Sequence, residues 1–279
     1  MKAYTVDLKQ EYPFLQGGKL DCLLSGDPSE QGEPWSRPAV IIVPGGAYEI
    51  VCPLEGEPVA HRFLAKGFHT FVLTYLCRCD GVCYPEQLLE LSSAVDYIRK
   101  HAKQLHVNAD EIFAVGFSAG GHLVANLAVE YGSVAEKAGY SLDAKPAAVG
   151  LSYPVITSVH GHQGSYDALL NGYTDEAKAE LLKTLNLNEA VTEQTAPAFI
   201  WTTAEDTCVP ADNSIRFALA LAQHGVGYEL HVYPKGDHGL STGDREVCYT
   251  HSPEAYSKRI CEWPERCAEF FRLYTKQDY

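Results

Sequence analysis

Apolar positions in this chain fall into short unbroken runs separated by stretches with helical spacing. Ala3 to Leu8 and Gly18 to Leu24 predict an opening hairpin or edge pair of strands, and a loop rich in Pro, Glu and Gly follows from Pro28 to Pro38. Ala39 to Val43 is a β-branched run ending in Pro44-Gly45-Gly46, as expected of a strand covered on both faces. A helical stretch from Pro58 to Lys66 leads to the next strand, Phe68 to Tyr75. Gln87 to His101 places Leu88, Leu91, Val95 and Ile98 on one helical face. Ile112 to Phe117 predicts another strand and Ala119 to Tyr131 the helix leaving it. Three strands follow, Ala147 to Tyr153, Ala198 to Thr203 and Tyr228 to Tyr233, then a closing helix from Glu254 to Tyr274.

This βαβα rhythm predicts a single α/β domain spanning residues 1–279, with a mostly parallel central sheet and helices on both faces. The segment Thr157 to Pro197 breaks the rhythm. It holds Gly161, Gly164, Tyr166, Gly172 and Tyr173, then a helical piece from Asp175 to Leu185. Open α/β sheets bind ligands at the carboxyl ends of their strands, so this insertion is expected to act as a short lid over that edge.

Composition narrows the function classes. The 279 residues suffice for one sizeable core, and 46% hydrophobic and 21% charged residues describe a globular protein. A net charge of −14 disfavours nucleic acid and anionic membranes, because phosphate-rich partners would be repelled. Met1 to Asp7 lacks the charged-then-apolar pattern of a signal peptide, and no apolar run is long enough to span a bilayer. The expected location is therefore cytoplasmic, where nine cysteines would remain reduced thiols. Cys77, Cys79 and Cys83 form a cluster, but no CxxC or nearby His completes a zinc site.

Chemistry enters at Gly116-Phe117-Ser118-Ala119-Gly120. This G-x-S-x-G box lies where a strand gives way to a helix, the context of a nucleophile elbow. A serine hydroxyl is a weak nucleophile at neutral pH and needs a base, which in turn needs a group to hold its tautomer. The chain order Ser, acid, His places the acid after the strand Ala198 to Thr203 and the base after the last strand. Glu205 and Asp206 both occupy the first position. At the second, His238 lies in Pro234-Lys235-Gly236-Asp237-His238-Gly239, whereas His224 and His231 fall in a helix and a strand and His251 lies near the closing helix.

The stretch Gly116 to His122 resembles the α/β-hydrolase esterases, in particular the small bacterial carboxylesterases that include acetyl xylan esterase-like and feruloyl esterase-like proteins. The resemblance runs from about Ala39 to His238 and includes Glu55-Gly56-Glu57-Pro58, Pro197 to Trp201 and Tyr228 to His231. It favours Asp206 as the acid, in the pattern Glu205-Asp206-Thr207-Cys208-Val209-Pro210, with Glu205 facing solvent. Oxyanion donors are expected from the N–H of Ala119 and, in the loop Pro44 to Tyr48, from Gly46 or Ala47. That loop departs from the His-Gly-Gly-Gly pattern, with Pro44 for the histidine and Ala47 for a glycine, yet each of the three positions after Pro44 keeps an amide to donate.

Ser118, Asp206 and His238 thus predict a serine hydrolase acting on carboxylic esters with short acyl groups, acetyl above all, on a sugar or other small alcohol. Tyr166 and Tyr173 are expected to suit a sugar. A serine peptidase or amidase of the same fold would use the same triad, and a noncatalytic binding protein is the other alternative. No metal or organic cofactor is implied, and a homo-oligomer is compatible with the sequence. His122 is expected to hydrogen-bond on the elbow helix rather than serve as a second base, His160 and His162 to lie in a polar loop, and Glu55 and Glu57 to brace the oxyanion loop.

Overall fold

Among the described residues, eight strands form one sheet in the order β1-β2-β4-β3-β5-β6-β7-β8. The computed structural model describes residues 1–26, 36–244 and 259–276. The strands are β1 (Lys2–Asp7), β2 (Lys19–Leu24), β3 (Arg37–Val43), β4 (His69–Thr74), β5 (Val107–Phe117), β6 (Val149–Ser152), β7 (Ala198–Thr203) and β8 (Tyr228–Tyr233). Only β2 runs antiparallel to its neighbours, β1 and β4; the strands from β4 across to β8 are parallel.

The helices are α1 (Leu8–Glu11), α2 (Glu57–Leu64), α3 (Glu86–Lys100), α4 (Ala102–Leu105), α5 (Ser118–Glu130), α6 (Val134–Ala138), α7 (Gln163–Leu169), α8 (Asp175–Thr184), α9 (Asp212–Gln223) and α10 (Trp263–Arg272). They cover both faces of the sheet. On β3, Val40 and Ile42 join Phe113, Phe117 and Trp201 in a layer closed by Phe63 of α2 and Trp263 and Phe271 of α10. Ala39, Ile41 and Val43 face the opposite layer, with Leu91 and Val95 of α3, Val124 of α5 and Phe217 of α9. Because successive side chains point to opposite faces and both faces are dry, the strand reads as an unbroken apolar run.

Several boundaries differ from the sequence reading. Strand β3 starts at Arg37, and a register shift between Arg37 and Ala39 accommodates Pro38, which has no N–H for the ladder. Strand β5 begins at Val107, paired with Arg37, although Asn108 and Asp110 break its apolar pattern. Strand β6 keeps only Val149–Ser152, because Tyr153 at φ 38° turns the chain out of the sheet. The insertion Thr157 to Pro197 carries α7 as well as α8. Residues 28–35 of the expected loop, residues 254–258 of the expected closing helix and His251 lie outside the described residues.

Candidate active site

Helix α5 begins at Ser118 itself, which sits at φ 51°, a backbone region that costs energy for any residue with a Cβ. The glycines of the box are required by space. A Cβ at Gly120 would overlap the carbonyl oxygens of Val43 and Pro44, and one at Gly116 would overlap that of Gly120. The elbow therefore presses directly on the end of β3, where the loop Pro44 to Tyr48 starts.

His238, on the loop after β8, reaches back to this point. Its Nε2 lies 2.8 Å from Ser118 Oγ and its Nδ1 2.6 Å from Asp206 Oδ2. Asp206 is buried at 5% exposure, and its Oδ1 accepts the N–H groups of Cys208 at 3.0 Å and Val209 at 2.8 Å. An acceptor-only carboxylate at Nδ1 places the proton there, leaving the Nε2 lone pair to receive the serine O–H. Glu205 is exposed instead. It pairs with Lys235 and accepts the Gly236 N–H at 3.3 Å, and the Lys235 ammonium holds its carboxyl below the usual range. His224 Nδ1 donates to Ala220 O at 2.9 Å and His231 Nε2 pairs with Glu229 at 2.6 Å, so both are engaged away from Ser118.

Gly46, Ala47 and Tyr48 follow one another at φ 123°, 55° and 59°. At Gly46 only glycine fits, since a Cβ would overlap the Ile50 carbonyl. The N–H groups of Gly46 and Ala47 donate to no acceptor among the described residues. Ala119 lies in the first turn of α5, where amides have no carbonyl four residues back within the helix. The Gly45 N–H, by contrast, donates to Glu55 Oε2 at 2.7 Å.

Glu55 is the brace. Buried at 4% exposure, it also accepts the Tyr153 O–H at 2.7 Å, while Tyr153 Oη accepts the Ser241 N–H at 2.9 Å. Burial raises the Glu55 carboxyl above its ordinary range, opposed by these hydrogen bonds. The Tyr153 ring meets the His238 imidazole edge to face at 4.9 Å. Sequence reading missed Tyr153, whose only signal is its place directly after β6. Glu57 does not brace the loop; it is exposed, 3.6 Å from His61.

The insertion differs from its expected role in sugar binding at two tyrosines. Tyr166 is buried at 2% exposure against His122, and the Tyr173 hydroxyl donates to Tyr84 O at 2.8 Å. Both rings serve packing. His160 is exposed, 4.0 Å from Asp212, and His162 pairs with Ser165 at 3.1 Å. Among the described residues no three or more His, Cys, Asp or Glu side chains are grouped to hold a metal ion. Cys77 is buried and Cys79 exposed, and the described cysteines are free thiols.

The family model BD-FAE matches residues 27–221, well over half of the chain. The chain belongs to the BD-FAE family. It is 35% identical over 227 residues to endo-1,4-beta-xylanase B of Butyrivibrio fibrisolvens, covering 79% of this chain and 35% of that protein. It is 27% identical over 249 residues to an acetylxylan esterase of Xylanibacter ruminicola, covering 87% of this chain and 47% of that protein. The chain thus spans a third to a half of the length of these curated relatives. A solved carboxylesterase from Lactobacillus plantarum WCFS1 superposes with a TM-score of 0.86 at 26% identity over 100% of both chains. The resemblance read from the elbow is borne out: this is a carboxylesterase-like α/β hydrolase. No helix among the described residues is long and apolar enough to cross a membrane.

Proposed function

We propose that the chain is a serine carboxylesterase that removes short acyl groups, acetyl above all, from sugars or other small alcohols. The observation that carries this reading is the continuous hydrogen-bonded line from Ser118 Oγ through His238 to Asp206, 2.8 Å and then 2.6 Å. His238 takes the serine proton as Oγ attacks the ester carbonyl, and then returns it to the departing alkoxide. The same imidazole next activates water against the acyl-enzyme. Charge developing on the carbonyl oxygen meets the amides of Ala119 and of Gly46 or Ala47, which are held in place before the reaction begins. Residues 157–197 act as the lid of this single domain; their entrance lies against the elbow, where the Val155 N–H donates to Ser118 O at 3.1 Å.

Intact-protein and peptide mass spectrometry after treatment with a fluorophosphonate will show one adduct, on Ser118. Labelling elsewhere with Ser118 untouched would refute the assignment of the nucleophile.

The acetyl preference is supported by the similarity to the acetylxylan esterase of Xylanibacter ruminicola and by the insertion's composition. Its Leu169, Leu170, Leu185 and Leu187 are buried in the core, Leu181 and Leu182 are partly buried against it, and Val159 is exposed. Gln163, Asp167, Asn171 and Asp175 are exposed. Each acyl methylene without an apolar wall forgoes roughly 0.8 kcal/mol of burial, so specificity falls from acetate through butyrate to octanoate. Initial rates on matched aryl esters check this, and a rise toward octanoate would defeat the short-acyl reading alone.

A further inference from the structure

His122 lies on α5 one turn after Ser118 and is buried at 1% exposure, too deep to act on substrate. Its Nε2 lies 3.3 Å from Leu185 O, at the end of α8 in the insertion, and its Nδ1 lies 2.9 Å from Tyr48 Oη, in the oxyanion loop. These partners fix its chemistry. A carbonyl oxygen can only accept, so Nε2 carries the hydrogen. Burial lowers the imidazole pKa to about 4, so the ring is neutral and Nδ1 accepts the Tyr48 hydroxyl proton. The Tyr48 phenol, held well above its ordinary pKa by burial, remains a donor.

The loop end of this connection needs support. Gly46, Ala47 and Tyr48 all have positive φ, and two of the three carry a Cβ, so the loop has no intrinsic preference for this shape. Inside the loop, Gly46 O accepts the N–H groups of Glu49 at 3.0 Å and Ile50 at 3.2 Å. Glu55 fixes its beginning through Gly45. At the far end Tyr48 is held twice, its carbonyl accepting the Arg78 N–H at 2.9 Å and its hydroxyl donating to His122, immediately after the two amides left without acceptors.

We infer that His122 is a positioning residue that ties the oxyanion loop to the insertion, so that the seating of α8 sets the aim of the Gly46 and Ala47 amides. This rests on the proposed triad and oxyanion assignment. It makes the insertion part of the machinery for charge stabilisation as well as a cover for the site. Since a whole oxyanion donor is worth a factor of about a hundred to a thousand, loss of aim without loss of the donor is expected to cost roughly tenfold.

Tyr48→Phe removes one oxygen and keeps the ring, which packs edge to face on Tyr75 and His122. We expect kcat/KM for an aryl acetate to fall roughly tenfold. The affinity of a boronic acid that adds to Ser118 should fall by the same factor, with KM unchanged. Tyr12→Phe is the matched control, because it likewise removes one buried hydroxyl, which donates to Asp96 at 2.7 Å and bonds to neither His122, Leu185 nor Tyr48. It should leave both quantities within about twofold.

A lowered melting temperature with unchanged boronate affinity in Tyr48→Phe would overturn the inference, as would equal losses in both variants. Should Tyr48→Phe not fold, His122→Asn carries the test, since its amide oxygen can stand where Nδ1 stood and accept from Tyr48 but the link to Leu185 is cut. Unchanged kcat/KM and boronate affinity in that variant would overturn the coupling. If wild-type protein hydrolyses the ester without an adduct at Ser118, the triad fails first and the inference with it.

Discussion

Asp206→Asn is expected to lower kcat by about four orders of magnitude while leaving the protein folded, because it reverses the tautomer of His238. The reason lies in the backbone around the carboxylate. Oδ1 of Asp206 receives the N–H groups of Cys208 and Val209, so the amide oxygen of an asparagine must occupy that side. Its NH2 group then faces Nδ1 of His238, where Oδ2 now accepts at 2.6 Å. Two donors cannot share that contact. The imidazole moves its proton to Nε2 and loses the lone pair that accepts from Ser118. Glu205→Gln removes only an exposed ion pair with Lys235, and kcat should stay within about twofold. Steady-state kinetics and circular dichroism of both variants decide the matter, and exchanged results would make Glu205 the acid.

The two carboxylates show how far the sequence could be read. Chain order located the acid to the loop after β7 but could not choose between adjacent residues, and the resemblance made the choice. The structure turns Asp206 inward to His238 and leaves Ala204 and Glu205 before it exposed. Ser118 was legible for a similar reason: the elbow is local, and its glycines are demanded by contacts with β3 that any sequence making this turn must respect.

Residues that act across the chain were less legible. Tyr153 reaches Glu55, ninety-eight positions away, and nothing local to either signals the pairing. The bond from the Gly45 N–H to Glu55, ten positions on, had no local signal either. Tyr166 and Tyr173 were expected at the substrate, since a buried tyrosine and a pocket tyrosine are the same letter; packing against α5 and a bond to a backbone carbonyl place them otherwise. The central strands were recognised because burial on both faces leaves a contiguous signal. Strand β5 was truncated because Asn108 and Asp110 lie on its less buried first half.

Glu90→Gln is expected to stabilise the protein above pH 7 and to flatten its dependence on pH. Glu90 is fully buried on α3, where its Oε2 accepts the Leu76 N–H at 2.8 Å and its Oε1 receives no donor among the described residues. Burial, with a smaller contribution from the nearby Glu86 carboxylate, raises its pKa to about 8 against an ordinary 4.5. The folded protein therefore keeps a proton that the unfolded chain has lost between pH 4.5 and 8. Stability falls with rising pH across that window, by at most about 1.4 kcal/mol per pH unit, and levels off above it. His69 and His122 act in the opposite sense lower down. Burial lowers both to about 4 from 6.5, so protons bound by the unfolded chain make stability rise with pH between those values. The Glu90 effect is consequently cleanest from pH 6.5 to 8. Glutamine keeps an oxygen for the Leu76 N–H and carries no charge, so the variant should gain a few kcal/mol over wild type at pH 8.5 and much less at pH 6. Urea unfolding at the two pH values measures the difference. Parallel behaviour of the two proteins would mean that Glu90 is ionised in the fold, and that its neighbours accommodate a buried charge that the geometry leaves without a counterion.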